Sequence, residues 1–112
     1  MSARPAPSLG WTVGRELDRL LEHRSRLGAC VLLSQADSLS FRRLKDLLDE
    51  TDGNLGAHLN KLKDAGYVRS TKSVVDGRPV TWFAITKPGR KKLNRHLDAL
   101  DQIIHDLRNV EV

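Results

Sequence analysis

The sequence predicts an α+β fold that is mainly α, and three observations lead to this prediction. Two short amphipathic helical segments follow each other, and only about four residues, 49–52, separate them. Two β-rich runs come next, residues 67–75 and 80–86, and the turn-forming sequence DGRP joins them. A helical repeat of leucines then runs from residue 87 onward. The length of 112 residues allows one small domain with a single core.

The first ten residues are expected to form a flexible N-terminal tail. Residues 1–10 hold two of the four prolines and have no apolar periodicity. They contain no recognisable targeting signal, and the chain has no apolar run near the roughly 18 residues that suggest a membrane span. The sequence therefore predicts a cytoplasmic protein with no membrane partner.

Residues 11–86 are expected to form the main domain. An amphipathic first helix is predicted over residues 11–22, with Val13 and Leu17 on its apolar face and an interruption near residues 23–25. A second apolar run, residues 27–33, continues the helical pattern. Small residues within that run would allow another helix to approach closely.

Residues 40–48 read as a helix with Ser38 or Ser40 as its N-cap. Phe41, Leu44 and either Leu47 or Leu48 would face inward. The short connection to the next segment makes the two helices cross steeply, as in a helix-turn-helix.

The second of these helices has one apolar face and one small, polar face. Its start is capped by Thr51 or Asp52, and Gly66 is a natural left-handed stop. The apolar face repeats at i, i+4 and i+7, as Leu55, Leu59 and Leu62. The opposite face carries Asn54, Gly56, Ala57, Asn60 and Lys61. Such a face suits the DNA major groove, where short polar side chains reach base edges, although an ordinary amphipathic surface helix is the competing interpretation.

Helix, turn, helix and hairpin is the order of a winged helix-turn-helix, with the hairpin as a two-stranded wing. In that arrangement, further contacts to DNA phosphates are expected from Arg42, Arg43 and Lys63, and Arg78 lies at the wing tip. His58 lies beside the proposed DNA-binding face, where it is either packed or turned toward phosphates.

Positive charge is concentrated in one part of the chain. The net charge is +5, but residues 61–95 alone hold ten Lys or Arg against two Asp or Glu. Residues 1–60 are balanced at eight of each sign, and residues 96–112 are acidic. A local excess of this kind is typical of a phosphate-binding face, although a solvated basic surface without a partner would have the same composition.

Residues 87–112 predict a C-terminal dimerisation helix. Thr86 can cap it, and Pro88 fits its first turn. Apolar residues then step by 4, 3, 4 and 3, as Leu93, Leu97, Leu100, Ile104 and Leu107. This heptad seam is suited to a homodimer contact, and packing against the domain itself is the alternative.

Several fragments together resemble the small winged-helix transcriptional regulators related to the MarR and ArsR groups. The resemblance spans roughly residues 12–95 and rests on the order of Phe41-x-x-Leu44-x-x-Leu47, TDGNLxxHLxxL, AGYV, GRPxTWF and ITxxG. It implies a homodimeric regulator that binds double-stranded DNA, with the second helix of the motif in the major groove and the wing near the minor groove. Members of these groups often carry Ser, Thr or Arg where this chain has Gly56 and Ala57. The chain is also shorter than a typical MarR protein, which leaves little room for a ligand pocket of the usual kind. The sequence does not identify a small-molecule effector.

Other function classes find little support in the residues. The spacings of hydrolase triads, phosphate loops and metalloprotease helices are absent, so no enzyme activity and no cofactor are expected. Cys30 is the only cysteine and reads as a small core residue. His96 and His105 only faintly match the zinc ligands of some ArsR proteins, so no metal site is expected. The main alternative is a protein-interaction module that docks on the transcription machinery.

Overall fold

Four α-helices and a small antiparallel sheet make up residues 16–109, which are the residues that the computed structural model describes. The elements in chain order are a 3₁₀ helix (Arg19–Glu22), α1 (Arg24–Ser34), β1 (Leu39–Ser40), α2 (Phe41–Leu48), α3 (Asp52–Asp64), β2 (Val68–Val75), β3 (Arg78–Ile85) and α4 (Lys87–Arg108). This order confirms the predicted mainly helical α+β fold and its winged helix-turn-helix arrangement.

The predicted continuous helix over residues 11–22 is wrong in the part that the structure describes. The backbone bends at residues 17–18, and a 3₁₀ helix begins only at Arg19. The cause is Asp18, whose carboxylate accepts a hydrogen bond from the backbone N–H of Leu20 at 2.9 Å. The predicted flexible tail and the first part of the predicted helix, including Val13, lie outside the described residues.

Side-chain caps decide where the helices of the motif begin. Ser40, not Ser38, caps α2, and its hydroxyl accepts from the N–H of Arg43 at 3.1 Å. Thr51, not Asp52, caps α3, with its hydroxyl 3.2 Å from the N–H of Asn54. Only residues 49–51 separate the two helices, so the predicted short turn is confirmed.

The apolar faces of the helices meet in one core. Leu48 packs against it, whereas Leu47 is 44% exposed, which resolves the alternative left by the sequence. A Cβ at Gly28 would lie 2.7 Å from a methyl group of Leu48, so α1 and α2 approach each other closely at this position. The buried core consists of Leu21, Ala29, Cys30, Leu33, Leu44, Leu55, Leu59, Leu62, Tyr67, Val68, Phe83, Ile85 and Leu93.

The wing is an antiparallel hairpin with a tighter turn than the sequence suggested. The strand order in the sheet is β1-β3-β2. Only Asp76 and Gly77 form the turn, and both have positive φ values, 51° and 75°, as a two-residue hairpin loop requires. Arg78 and Pro79 therefore belong to β3, where they pair with Val75 and Val74.

The start of α4 is held against the base of the wing. Thr86 caps this helix by accepting from the N–H of Gly89 at 3.0 Å, and Pro88 lies in its first turn as predicted. A Cβ at Gly89 would lie only 2.0 Å from the carbonyl oxygen of Tyr67. No other residue type fits at this position without moving the backbone.

We therefore predict that Gly89→Ala lowers the free energy of unfolding by about 3 kcal/mol or more, because the new methyl group collides with backbone atoms. Gly56→Ala is the matched control, because no atom lies within 4 Å of its added Cβ. Alanine has the higher helix propensity, so the control is expected to gain about 0.5–1 kcal/mol. Urea denaturation of both variants measures the difference, and equal stabilities would refute the close approach at Gly89.

Candidate nucleic-acid interface

Helix α3 buries one side completely and leaves the other open to solvent. Leu55 and Leu62 are fully buried, and Leu59 is 1% exposed. The exposed side chains among the predicted DNA contacts on this helix are those of Asn54, Ala57, Asn60, Lys61 and Lys63. Gly56 is half-buried, but the space where a Cβ would stand is empty. Gly53, which sequence reasoning did not select, is also exposed and extends the small-residue surface by one turn.

The first turn of α3 is held by contacts to the preceding turn and helix. The ammonium group of Lys45 lies 2.9 Å from a carboxylate oxygen of Asp52. The Asp52 side chain is 76% exposed and that of Lys45 38%, so solvent screens this ion pair and the Thr51 cap is the stronger constraint. Lys45 was not among the predicted contacts, yet it lines a cleft with Arg42 beside the start of α3.

His58 lies at the edge of the exposed face, and its contacts favour the packed alternative over a contact with phosphates. Its side chain is 15% exposed and points toward α1. The Arg26 guanidinium donates to Nδ1 of His58 at 3.1 Å, and the ring of His23 lies 4.1 Å away, centroid to centroid. The physical reason is helical position: His58 is three residues after Leu55 and four before Leu62, so it sits at the edge of the buried face.

A polar cluster therefore connects α1, the turn of the motif and α3. Glu50, in the turn, accepts a hydrogen bond from the hydroxyl of Ser25, and this bond is the largest cause of the lowered pKa of the Glu50 carboxyl. Burial is the largest cause of the lowered pKa of His58, and the charges of His23 and Arg26 lower it further. Arg26 also donates from Nε to the carbonyl of Leu20 at 2.6 Å. No local sequence signal pointed to this cluster, because its members are far apart in the chain.

The structure brings Arg42 and Arg78 to the same cleft. This cleft has a volume of about 520 Å³ and lies between the start of α2 and the wing. Its walls are mostly apolar and include Phe41, Val80 and Trp82. Arg43 does not line this cleft; it is exposed in the first turn of α2.

The wing carries two further exposed cations that were not selected individually from the sequence. Arg69 and Lys72 lie on β2, opposite Ala84 and Thr81 of β3. The sequence signal that could have identified them is a charged residue inside a β-rich run, because charged residues in a hairpin face solvent. The indole N–H of Trp82 donates to the hydroxyl of Ser73 at 2.9 Å, which fixes the ring on the wing.

The basic residues of α4 lie at the base of the wing rather than at its tip. β3 has eight residues, so its two ends are separated by roughly 23 Å. At the base, Arg90 donates to the carbonyl of Ser34 at 3.1 Å, and Arg95 lies 3.5 Å from the carboxylate of Glu16. The positive segment seen in the sequence is therefore divided between two regions of the molecule.

The apolar seam of α4 is also divided. Leu93 is 2% exposed and belongs to the core of the domain, so it is not available to a partner as the sequence suggested. Farther along the helix, Leu97 is 39%, Ile104 45% and Leu107 65% exposed, and Leu100 is half-buried. The second half of α4 thus presents an apolar stripe to solvent.

The remaining candidate groups have structural contacts. Burial, with a smaller contribution from the charge of Asp18, raises the pKa of the Cys30 thiol to about 12, so the thiol stays protonated and inert. His96 is 3% exposed, and its Nδ1 accepts from the backbone N–H of Asp18 at 2.9 Å. Within residues 16–109, no three His, Cys, Asp or Glu side chains are grouped to hold a metal ion. Over the same residues, no helix is long and apolar enough to cross a membrane.

Comparison with known proteins shows what this arrangement resembles. The winged helix DNA-binding domain family matches residues 25–104. An uncharacterized protein of Methanocaldococcus jannaschii is 37% identical over 78 residues, which cover 70% of this chain and 85% of that protein. Among solved structures, a transcriptional regulator homologue of Pyrococcus horikoshii OT3 superposes with a TM-score of 0.79 at 29% identity, covering 90% of this chain and 98% of the other. Wild-type MarR of E. coli has a TM-score of 0.67 at 20% identity, covering 99% and 89%, and shares the fold.

Proposed function

The chain belongs to the winged helix DNA-binding domain family, as a small MarR-like regulator, and we propose that it binds specific sequences in double-stranded DNA as a homodimer. In this proposal α3 enters the major groove, the wing lies at the minor groove, and the protein regulates transcription in the cytoplasm. The family consists of DNA-binding regulators rather than enzymes.

The observation that carries the proposal is the contrast between the two faces of α3. Three leucines bury one face completely, while the opposite face holds amides, lysines and residues with little or no side chain. The helix backbone can therefore come close to base edges without a steric barrier.

Two asparagines are proposed to contact bases on this face. Gly56 and Ala57 have no side-chain hydrogen-bonding group, so base contacts fall to Asn54 and Asn60, whose amides match adenine edges. Both asparagines are exposed. Lys61 and Lys63 extend from the same helix and suit contacts to phosphates.

The wing is proposed to contribute through its arginine. Arg78 directly follows the two-residue turn and lines the cleft that Arg42 also lines. A guanidinium group at a narrow hairpin tip suits a narrow minor groove, where the negative potential is strongest. Arg42 and Arg43, at the start of α2, are proposed to bind the DNA backbone.

The exposed stripe on the second half of α4 supports a homodimer. Leu97, Ile104 and Leu107 are large apolar side chains on one face of a helix that extends beyond the core. A second copy of the helix would remove these side chains from water. The dimer would also place two α3 helices on one duplex, as paired half-sites require.

A protein-interaction module remains the second candidate because of the apolar surface near the wing tip. Val74 is 72% and Val75 45% exposed, and the cleft beside them is mostly apolar. Exposed apolar residues of this kind also occur at contacts with partner proteins. The two functions differ in the main force that holds the partner, so they differ in their response to salt.

We predict that the affinity for duplex DNA falls steeply with salt. If each protomer neutralises about four phosphates, the slope of log K against log salt is roughly −7 for the dimer. The measurement uses duplexes selected from a random pool by the purified protein. A slope shallower than about −2 contradicts the proposal and favours an apolar contact with a partner protein.

Arg78→Ala is expected to weaken binding to a selected duplex by about 1–3 kcal/mol. The loss should be greater with A·T-rich than with G·C-rich flanks, because an A·T-rich minor groove is narrower. Arg108→Ala, at the far end of α4, is the matched control for the loss of one positive charge. Equal losses on all flanks would show that Arg78 is a general phosphate contact. No loss would show that the wing tip does not contribute to DNA binding.

Leu97→Glu and Leu107→Glu are each expected to produce folded monomers, because a carboxylate in an apolar contact costs several kcal/mol. His105→Glu introduces the same charge at an exposed position of the same helix outside the stripe, and it should remain dimeric. Sedimentation equilibrium measures the association state. Dimers of unchanged affinity in both leucine variants would show that the contact lies elsewhere.

A further inference from the structure

We infer that His58 and Arg26 form a positioning pair that holds α3 in its DNA-binding orientation at neutral pH and releases it in mild acid. The inference rests on the proposed DNA binding. His58 and Arg26 meet between α3 and α1, on the side of α3 that faces away from the proposed DNA. They therefore act through the exposed residues of α3.

The hydrogen bond between the two side chains requires a neutral imidazole. A guanidinium group has only donors, so Nδ1 of His58 must be an unprotonated acceptor to receive the bond from Arg26 at 3.1 Å. The proton of the neutral ring is then on Nε2, on the side of Glu50. Adding a second proton places an N–H at Nδ1, directly opposite the Arg26 donor, and the hydrogen bond is lost.

The groups around His58 oppose protonation more than they favour it. From α1, Arg26 and the capping residue His23 face the ring, and Lys61 contributes positive charge from α3 itself. Glu50 is the one group that favours the imidazolium, but its nearest carboxylate oxygen is 3.9 Å from Nε2 and already accepts from Ser25. Burial and the positive neighbours therefore hold the pKa of His58 below its ordinary value of 6.5.

His23 adds a second constraint of the same kind. Its Nδ1 accepts from the backbone N–H of Ser25 at 3.1 Å and so caps α1. The two rings lie 4.1 Å apart, which brings any imidazolium at one position close to the other. Positive charge on His58 is therefore disfavoured by Arg26 in the first turn of α1 and by His23 at its N-cap.

The sign of the pH effect follows from proton linkage. The arrangement with the Arg26 bond binds fewer protons than a loosened arrangement in which His58 titrates freely, so acid favours the loosened one. If only the bonded arrangement binds DNA, affinity falls as the pH drops below about 6.5. This direction is opposite to that of a histidine at the DNA surface, where protonation adds positive charge and strengthens binding.

The test measures affinity for a selected duplex at constant salt between about pH 7.5 and about pH 5, where histidine titrates. Wild-type affinity should fall about tenfold or more, whereas His58→Asn should change less than about threefold, because the amide oxygen keeps an acceptor near the position of Nδ1 and does not titrate. His105→Asn, which removes an exposed histidine, should retain the wild-type profile. Arg26→Gln should make the fall smaller, because its amide can accept from a protonated imidazole as well as donate to a neutral one, and a purely structural role would not reduce the pH dependence.

A second measurement follows the ring directly in the wild-type protein. The imidazole NMR signals of His58 should titrate below pH 6.5, and bound duplex should lower the midpoint further, because linkage is reciprocal. A midpoint that DNA leaves unchanged, a wild-type affinity that rises in acid, or an equal fall in His58→Asn would each overturn the inference. If no duplex binds at any pH, the proposed function itself fails, and the coupling to DNA fails with it.

Discussion

Burial of three leucines on one side of α3 is the constraint on which the rest of the structure depends. Leu55, Leu59 and Leu62 together place α3 against the core, and full burial of a leucine is worth about 2 kcal/mol or more. Their burial sets the rotation of the helix about its axis. The same rotation turns Ala57 and Asn60 outward, so the packing of the core also sets which residues lie on the proposed DNA-binding face.

Polar contacts complete the placement that apolar packing begins. Asp18 accepts from the hydroxyl of Tyr67 at 2.5 Å, caps the 3₁₀ helix, and donates its backbone N–H to His96. The N-terminal segment, the base of the wing and α4 are thereby held to one another. Burial and the bond to Asp18 raise the pKa of Tyr67, so its hydroxyl remains a donor throughout the physiological pH range. Apolar packing alone tolerates small rotations, and directional hydrogen bonds remove them.

The proposed DNA-binding face of α3 combines a lower helix stability with room for close approach. Gly53 and Gly56 both lie in α3, where glycine costs roughly 0.5–1 kcal/mol relative to alanine. No packing reason requires them, because a Cβ at either position would meet nothing within 4 Å. Gly89 is different, since its bare Cα is required by the carbonyl of Tyr67. The glycines of α3 therefore keep the outer face of that helix free of side chains, whereas the glycine of α4 allows close packing against the backbone of Tyr67. This contrast supports a role for α3 in contact with another macromolecule.

The sequence by itself determined the order of the helix-turn-helix, the wing and the last helix, and it determined the buried face of α3. These properties depend on neighbours within one or two turns, so periodicity, caps and turn residues were sufficient. The predicted turn, residues 76–79, was two residues longer than the observed turn at Asp76 and Gly77. Strand pairing, which local turn preference does not reveal, decides where a hairpin closes. Only the tertiary structure decided that Leu93 is a core residue and that His58 faces Arg26. Arg26 and His58 are 32 positions apart, and Leu93 has the same spacing as the exposed stripe, so what each side chain meets depends on how the elements pack.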